Sequence, residues 1–253
     1  MVEFETEPHY ARLAETYDAN WAHSGEYVAW MNEHIDARLG ITAGDRVADL
    51  GAGTGLFLRA LAEHVTADNP ILCIDPSQPM LDNLPDDPRL APVCATAEQV
   101  ARGEVRLAYD QLDALVAKEA VHHFYDLSET LRGLAGLLAP GGRLLVVTLP
   151  PRLDYPLFAA ALDRFAANQP APEDIADALR AAGLDTRLEY EQFPVRVGRD
   201  HYLDLVANRW MSMLSTWTEA ELAAGLEEMR AAHPEEELRF VDRFAFIRGV
   251  RPA

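Results

Sequence analysis

The sequence predicts an α/β protein built on a doubly wound, Rossmann-like sheet with helices on both faces. Short runs of Val, Ile and Leu alternate along the chain with segments rich in Ala, Leu, Glu and Arg, which is the pattern of parallel strands joined by helices. The run RLLVVTL at residues 143–149 is apolar, as expected in the middle of a parallel sheet. With 253 residues, 49% of them hydrophobic, the chain is long enough for one sizeable domain.

The first 150 residues carry five predicted strands separated by helices. Two amphipathic helices are expected ahead of the first strand, at 9–21 and 27–39. Ser77 is expected to cap a later helix, and the turn Pro140-Gly141-Gly142 to close another. The predicted strands are 46–51, 71–75, 90–96, one within 112–121, and 143–149; the helices between them are 56–65, 77–84 and 128–139.

The pattern changes after residue 151. Helices are predicted at 155–167 and at 173–182, the second ended by Gly183, and a strand of alternating character at 186–197. Two more helices follow at 201–217 and 218–232, the latter opened by Thr218 and Glu221 at the spacing of a capping box. A last strand at 238–250 can then pair antiparallel to its predecessor.

Composition limits the functions that are plausible. The net charge of −19 disfavours a nucleic-acid partner, because an acidic surface repels phosphate backbones. The acidic first ten residues carry no apolar signal region, and no apolar run reaches the roughly 20 residues that span a bilayer. We therefore expect a cytoplasmic protein that does not bind membranes. Cys73 and Cys94 both lie in apolar surroundings and are expected to be buried free thiols.

The stretch VADLGAGTG, residues 47–55, predicts a ligand-binding turn directly after the first strand. Its glycines have the spacing G-x-G-x-G, and Leu56 stands where the dinucleotide fingerprint needs a third small residue. Asp49 ends the strand two residues before the first glycine, where a carboxylate would repel a pyrophosphate and attract a cation. This pattern favours a positively charged adenosyl ligand over a dinucleotide. Asp75 ends the next strand, where a carboxylate can accept hydrogen bonds from both hydroxyls of a ribose.

A strand with Asp49, the glycine turn, a helix and a second strand ending in Asp75 follow one another along the chain. This series resembles the motifs of the class I S-adenosylmethionine (SAM) dependent methyltransferases, in particular the ubiquinone and menaquinone methyltransferase branch. VADLGAGTG resembles the first motif, ILCIDPSQPML the ribose-binding second, CATAEQV the segment that borders adenine, and LDALVAKEAVHHF the fourth-strand motif. Thr96 stands where the third motif usually carries Asp. The resemblance implies SAM as cofactor, S-adenosylhomocysteine as its product, and no metal. It implies cofactor contacts from Tyr10, Tyr17, Trp21, Asp49, Gly51, Ala52, Gly53, Asp75, Pro76, Met80, Thr96, Ala97, Glu98 and Lys118.

The resemblance also implies an architecture for the whole chain. It predicts a seven-stranded sheet of order 3-2-1-4-5-7-6 with an antiparallel last strand, in a single domain spanning 1–253. Within that domain we expect an N-terminal helical cap at 1–40 and a SAM-binding core at 41–150. The C-terminal part, 151–253, would carry lid helices at about 155–182 and 199–232.

Candidate catalytic residues follow the fourth strand. His122 and His123 have the intrinsic pKa of a general base near neutrality, although the pair can equally be structural. Lys118, the only lysine of the chain, could neutralise an acidic acceptor, orient Glu119, or contribute only its backbone near SAM. No acidic or cysteine partner lies at ligand spacing from the histidines, which argues against a metal.

The predicted function is a SAM-dependent methyltransferase acting on a small-molecule acceptor at O, N or C, with specialised metabolism as the setting. Large side chains on the lid helices are expected to line the acceptor pocket, with ordinary core packing as the alternative: Tyr155, Trp210, Met213 and Trp217. Two rival functions stay open, a cyclase-like enzyme that binds SAM without transferring its methyl group and a non-catalytic SAM-binding partner protein. The sequence leaves the choice between monomer and homodimer open.

Overall fold

The computed structural model describes residues 24–253. The predicted helix at 9–21, with Tyr10, Tyr17 and Trp21, lies outside these residues. Within them, no helix is both long enough and apolar enough to cross a membrane.

The sheet has the predicted seven strands in the predicted order. From one edge to the other the strands run β3-β2-β1-β4-β5-β7-β6. The first five pair in parallel, and β7 inserts antiparallel between β5 and β6. The strands are β1 (Val47–Leu50), β2 (Ile71–Asp75), β3 (Leu90–Cys94), β4 (Leu112–Lys118), β5 (Leu138–Thr148), β6 (Asp185–Gly198) and β7 (Glu237–Val250).

Nine α-helices and two 3₁₀ turns accompany the sheet in the described part of the chain. Helix α1 begins after Ser24, whose side chain accepts a hydrogen bond from the Tyr27 amide, and α9 begins with the predicted Thr218–Glu221 capping box. The helices are α1 (Gly25–Leu39), α2 (Arg59–Ala62), α3 (Gln78–Leu81), α4 (Ala97–Ala101), α5 (Leu127–Gly136), α6 (Ala159–Asn168), α7 (Pro172–Ala181), α8 (Arg199–Ala207) and α9 (Glu219–Ala232), and the 3₁₀ turns are Val121–His123 and Ser212–Thr216.

Several helix predictions were wrong in extent. The helix predicted at 56–65 is shortened to α2 (Arg59–Ala62), and the one predicted at 77–84 to α3 (Gln78–Leu81). The helix predicted at 128–139 ends at Gly136, because the Leu112 amide donates to the Leu137 carbonyl and Leu138 already pairs with Leu112 in the sheet. The single helix predicted at 201–217 ends at Ala207. Arg209 there takes a left-handed backbone conformation (φ +55°), and its guanidinium donates to the carbonyls of Leu214 and Trp217, which closes the chain into a 3₁₀ turn.

The sheet is covered on both faces, and each face has its own apolar core. One core joins α1 and the C-terminal helices to the sheet; we call this side the α1 face. The other joins α4, α5 and α7 to the opposite side. Cys73 is buried in the α1-face core as predicted, whereas Cys94 is exposed, because β3 is an edge strand with only partial cover.

Strand alternation places four charged residues on the α1 face near the carboxyl ends of the parallel strands. Val47, Cys73, Val116 and Phe244 all belong to the α1-face core, and side chains two positions apart point the same way. Asp49, Asp75, Lys118 and Asp242 therefore share that face, near the sheet edge at which the candidate site lies.

Candidate active site

The backbone of the glycine turn after β1 lies close to the ends of β2 and β4. The amides of Gly51 and Ala52 both donate to the Ile74 carbonyl of β2, at 2.8 and 3.1 Å. Gly51 has a φ of +73°, and a Cβ there would lie 2.7 Å from the Cβ of Ala120, just after β4. Only glycine fits this position, so the turn presents bare backbone at the carboxyl edge of the sheet.

Asp75 fixes the turn to the end of β2. Its carboxylate accepts hydrogen bonds from the amides of Gly53 (3.0 Å) and Ser77 (2.8 Å), and the residue is only 8% exposed. Burial raises the pKa of Asp75, and the two amides oppose that rise by stabilising the ionised form.

Asp49 is the second buried carboxyl of the site, also 8% exposed. Burial and the neighbouring Asp75 raise its pKa to about 8, against the opposing effect of Lys118. A carboxyl that is costly to ionise alone gains from a positive ligand, so this pair of acids is suited to a cation.

The end of β4 adds a charged residue with a strained backbone. Glu119 adopts a φ of +52°, which is uncommon for a residue other than glycine. Its amide donates to the Val147 carbonyl at 2.8 Å, and its carboxylate accepts from the Leu149 amide at 2.7 Å. These bonds to β5 hold the strained residue in place. Burial raises the pKa of Glu119 to about 7.

His122 and His123 form a 3₁₀ turn after β4, with ring centroids 4.0 Å apart. Burial and the charge of Lys118 lower the pKa of His122 to about 4, and its Nδ1 is buried without a hydrogen-bond partner in the described structure. His123 lines the cavity described next, and His122 does not.

A cavity of about 210 Å³ lies at this edge of the sheet, bordered by the glycine turn and the ends of β2, β3 and β4. Ten of the predicted site residues line it: Gly51, Gly53, Asp75, Pro76, Met80, Thr96, Ala97, Glu98, Lys118 and His123. Asp49, Ala52 and His122 stand beside it without lining it. No group of three or more metal-ligating side chains occurs within residues 24–253.

The segment predicted to border adenine, which contains Thr96 and Glu98, also makes structural hydrogen bonds. Thr96 caps α4 in a capping box with Gln99. Glu98 accepts a hydrogen bond from the Tyr125 amide at 2.9 Å, so one carboxylate oxygen ties this segment to the chain after β4.

The predicted acceptor-binding residues lie in the α1-face core, away from this cavity. The Tyr155 hydroxyl donates to Asp242 at 2.7 Å, and Trp210 packs edge-on against Tyr202. Trp217 contacts Phe158 edge-on and lies under the guanidinium of Arg164, and Met213 is buried. That these residues line an acceptor pocket stays a prediction.

Sequence reasoning missed Asp242 and its surroundings. Asp242 is fully buried in β7, and the Tyr155 hydroxyl and a hydrogen bond from Tyr27 of α1 stabilise its ionised form, although burial raises its pKa to about 6. A signal was present, because the inward positions of β7 are otherwise apolar: Leu238, Phe240, Phe244 and Phe246. A carboxyl in that series predicts a buried polar partner.

Comparison with known proteins agrees with this geometry. Residues 48–144 match the family described as a methyltransferase domain. The biotin biosynthesis bifunctional protein BioCD of Bordetella avium is 31% identical over 195 residues, which cover 71% of this chain and 39% of that protein. The ubiquinone biosynthesis O-methyltransferase of Marinobacter nauticus is 28% identical over 172 residues, which cover 61% of this chain and 69% of that protein.

From β1 into β5, the chain is thus similar to the methyltransferase domains whose motifs its sequence resembles. A solved structure of the same fold, a putative methyltransferase from an antibiotic biosynthesis pathway of Anabaena variabilis, has a TM-score of 0.63 at 18% identity and covers 86% of this chain and 96% of its own. The chain spans well under half of the length of the bifunctional relative, at 39%.

The site fits SAM, the cofactor that the resemblance implies. Asp75 offers a carboxylate at the end of β2, and Gly51 leaves the backbone uncovered. The buried hydroxyl of Ser77, which lines the cavity, has no hydrogen-bond partner within the described residues and is open to one.

Proposed function

We propose that this protein transfers a methyl group from SAM to a small-molecule acceptor. The observation that carries the proposal is the buried pair of acids, Asp49 and Asp75, at the glycine turn beside the cavity. A pair of buried carboxyls beside a cavity disfavours an anionic ligand and favours a cationic one.

SAM, when bound, supplies an electrophilic methyl group on a sulfonium. In this proposal Asp75 accepts from the ribose hydroxyls, Asp49 favours the positive charge, and the segment Thr96–Glu98 borders the base. The backbone of the glycine turn and the end of β4 would hold the amino-acid part. The chain's contribution to catalysis is then chiefly positioning and exclusion of water.

Some acceptors must lose a proton during methyl transfer, and His123 is better placed than His122 to be the general base that removes it. His123 lines the cavity, and the lowered pKa of His122 makes it a weak base. A catalytic role for His123 is supported by this placement, whereas His122 is better suited to packing. Acceptor atoms O, N and C all remain compatible with the site.

The test is incubation of the purified protein with SAM carrying an isotope label in its methyl group and a fractionated metabolite pool. We expect one compound to gain the label and the mass of a methyl group. A compound of unchanged mass but new connectivity would favour the cyclase-like alternative. Tight SAM binding without a labelled compound from any pool would favour the non-catalytic one.

Two variants control this experiment. Asp75→Ala removes both oxygens that hold the turn and the proposed ribose contact, so SAM affinity should fall by about 1–3 kcal/mol. Asp177→Asn changes an exposed acid of α7 that pairs with Arg180 and should leave SAM affinity unchanged. Equal affinity of the Asp75 variant and the wild type in titration calorimetry would remove Asp75 from the site.

A further inference from the structure

The only lysine of the chain lies at the candidate site. Lys118 is the last residue of β4, shares the α1 face with Asp49, and lines the cavity. The other 21 basic residues, all arginines, lie elsewhere in the sequence. A single lysine in a strongly acidic chain, placed at this edge of the sheet, calls for a specific explanation.

Among the described residues, the ammonium group of Lys118 has no direct polar partner. Its Nζ lies 4.1 Å from the ring centroid of Phe57 and 5.6 Å from that of Phe244. The structure, over residues 24–253, gives it neither a hydrogen bond nor a direct ion pair. An ammonium carries three donors, and withdrawing it from water is costly unless they are used. The two rings compensate only part of that cost.

The acids around Lys118 do not supply the missing partner. Asp49, Glu119 and Asp242 interact with it electrostatically, without contact. Burial raises the pKa of Asp49 to about 8 and that of Glu119 to about 7, so at neutral pH the first is mostly protonated and the second partly so. Asp242 is more fully ionised, but its carboxylate already accepts from Tyr155. The ammonium thus remains open to an anion that enters from the cavity.

The side chain of Lys118 projects from a different strand than the two acids proposed to contact the cofactor. Asp75 and Asp49 belong to β2 and β1, whereas Lys118 belongs to β4 and Asp242 to β7, farther along the sheet. On the α1 face, the cation of β4 therefore lies between the acids of β1 and β2 and the acid of β7. We propose that Lys118 binds the ionised oxygen of the methyl acceptor, and that the acceptor is an acidic compound such as a phenol, an enol or a carboxylic acid.

This inference rests on the proposed function and adds the chemical class of the acceptor. An ammonium beside an acidic hydroxyl lowers the pKa of that hydroxyl and so increases the fraction present as the ionised nucleophile at neutral pH. Lys118 would then do part of the work otherwise assigned to a general base.

The experiment uses full-length protein saturated with S-adenosylhomocysteine, with 4-nitrophenol as the acidic probe and 4-nitrotoluene as its neutral counterpart of similar shape. Visible absorbance follows ionisation of the bound phenol, and protein labelled with ¹³C at the lysine ε-carbon gives a single side-chain signal. We expect about tenfold tighter binding of the phenolate than of the neutral probe, and a fall of about one unit in the pKa of the bound phenol. The lysine signal should shift with 4-nitrophenol and not with 4-nitrotoluene.

Lys118→Met keeps most of the length of the side chain and removes its charge. It should abolish the preference for the phenolate while changing S-adenosylhomocysteine affinity by less than about twofold. Arg230→Met, at an exposed cation of α9 paired with Glu227, should leave both unchanged.

Three results would overturn the inference: no phenolate preference in the wild type, the same preference in Lys118→Met, or a tenfold loss of S-adenosylhomocysteine affinity in that variant, which would assign Lys118 to the cofactor's carboxylate. If the Met variant does not fold, the wild-type lysine signal decides alone. Failure of S-adenosylhomocysteine to bind at all would instead contradict the proposed function.

Discussion

At the scale of single residues, ionisation of the buried Asp49 beside Asp75 is unfavourable, and a cationic ligand would make it more favourable. Asp49 is held mostly uncharged at neutral pH by burial and by Asp75. Because its pKa in the folded chain lies above the ordinary value, its contribution to stability is fully present below about pH 4 and is lost as the pH rises through about 8. Binding of a cation should reverse this preference by favouring the ionised form.

SAM affinity should therefore rise with pH between about pH 6 and pH 8. The expected gain is up to tenfold per pH unit where Asp49 is still protonated, because binding the sulfonium then releases a proton. S-adenosylhomocysteine lacks the sulfonium charge and should show a weaker dependence. Titration calorimetry with both ligands over this range measures the two slopes.

Asp49→Asn separates this effect from titration of the neighbouring Asp75, Lys118 and Glu119. The amide cannot ionise, so the difference in slope between SAM and S-adenosylhomocysteine should disappear in the variant. If both ligands show the same slope in the wild type, Asp49 does not sense the sulfonium.

At the scale of elements, Asp242 links parts of the fold that are distant in sequence. It lies in β7 and interacts with Tyr27 of α1, with Tyr155 before α6, and electrostatically with Tyr202 of α8. Helices α1, α6 and α8 cover the α1 face of the sheet, so this one carboxyl connects the covering helices to the sheet.

Tyr155→Phe should lower the free energy of unfolding by about 1–3 kcal/mol, because it removes a hydrogen bond to a buried carboxylate. The chain offers a matched control, since Tyr190 donates to Glu173 at 2.8 Å at the surface and is 44% exposed. Tyr190→Phe should cost less than about 0.5 kcal/mol. Urea unfolding of both variants measures the difference; equal costs would mean that Asp242 does not depend on Tyr155.

The elements show which features the sequence could predict. Strand positions follow from local apolar patterns, so the order of strands and the edge that carries Asp49 and Asp75 could be predicted from motif order and the family resemblance. The break after Ala207 could not, because it depends on a left-handed Arg209 whose guanidinium reaches carbonyls five and eight residues on. The partners of Asp242 were also hidden, since they come from segments that meet only in the folded chain.

At the scale of the whole molecule, the charge of −19 suits a cationic cofactor. A negative surface raises the local concentration of cations and disfavours polyanions. Positive and negative charges are more evenly balanced at the site than in the chain as a whole, because the only lysine of the chain lies there among the acids. This contrast lets the same cavity attract a cationic donor and, through Lys118, accept an anionic partner.

Cofactor binding should stabilise the whole fold, because the glycine turn, β2 and the end of β4 all border one cavity. At a SAM concentration of about 100 times its Kd, the free energy of unfolding should rise by about 2.7 kcal/mol and Tm by roughly 5–10 °C. Thermal unfolding followed by circular dichroism measures this. Asp75→Ala should lose about 1 kcal/mol or more of this stabilisation, in line with its weaker SAM binding, and Asp177→Asn should keep it, since only the first alters the cavity. An equal shift in both variants would mean that SAM stabilises the chain from another site.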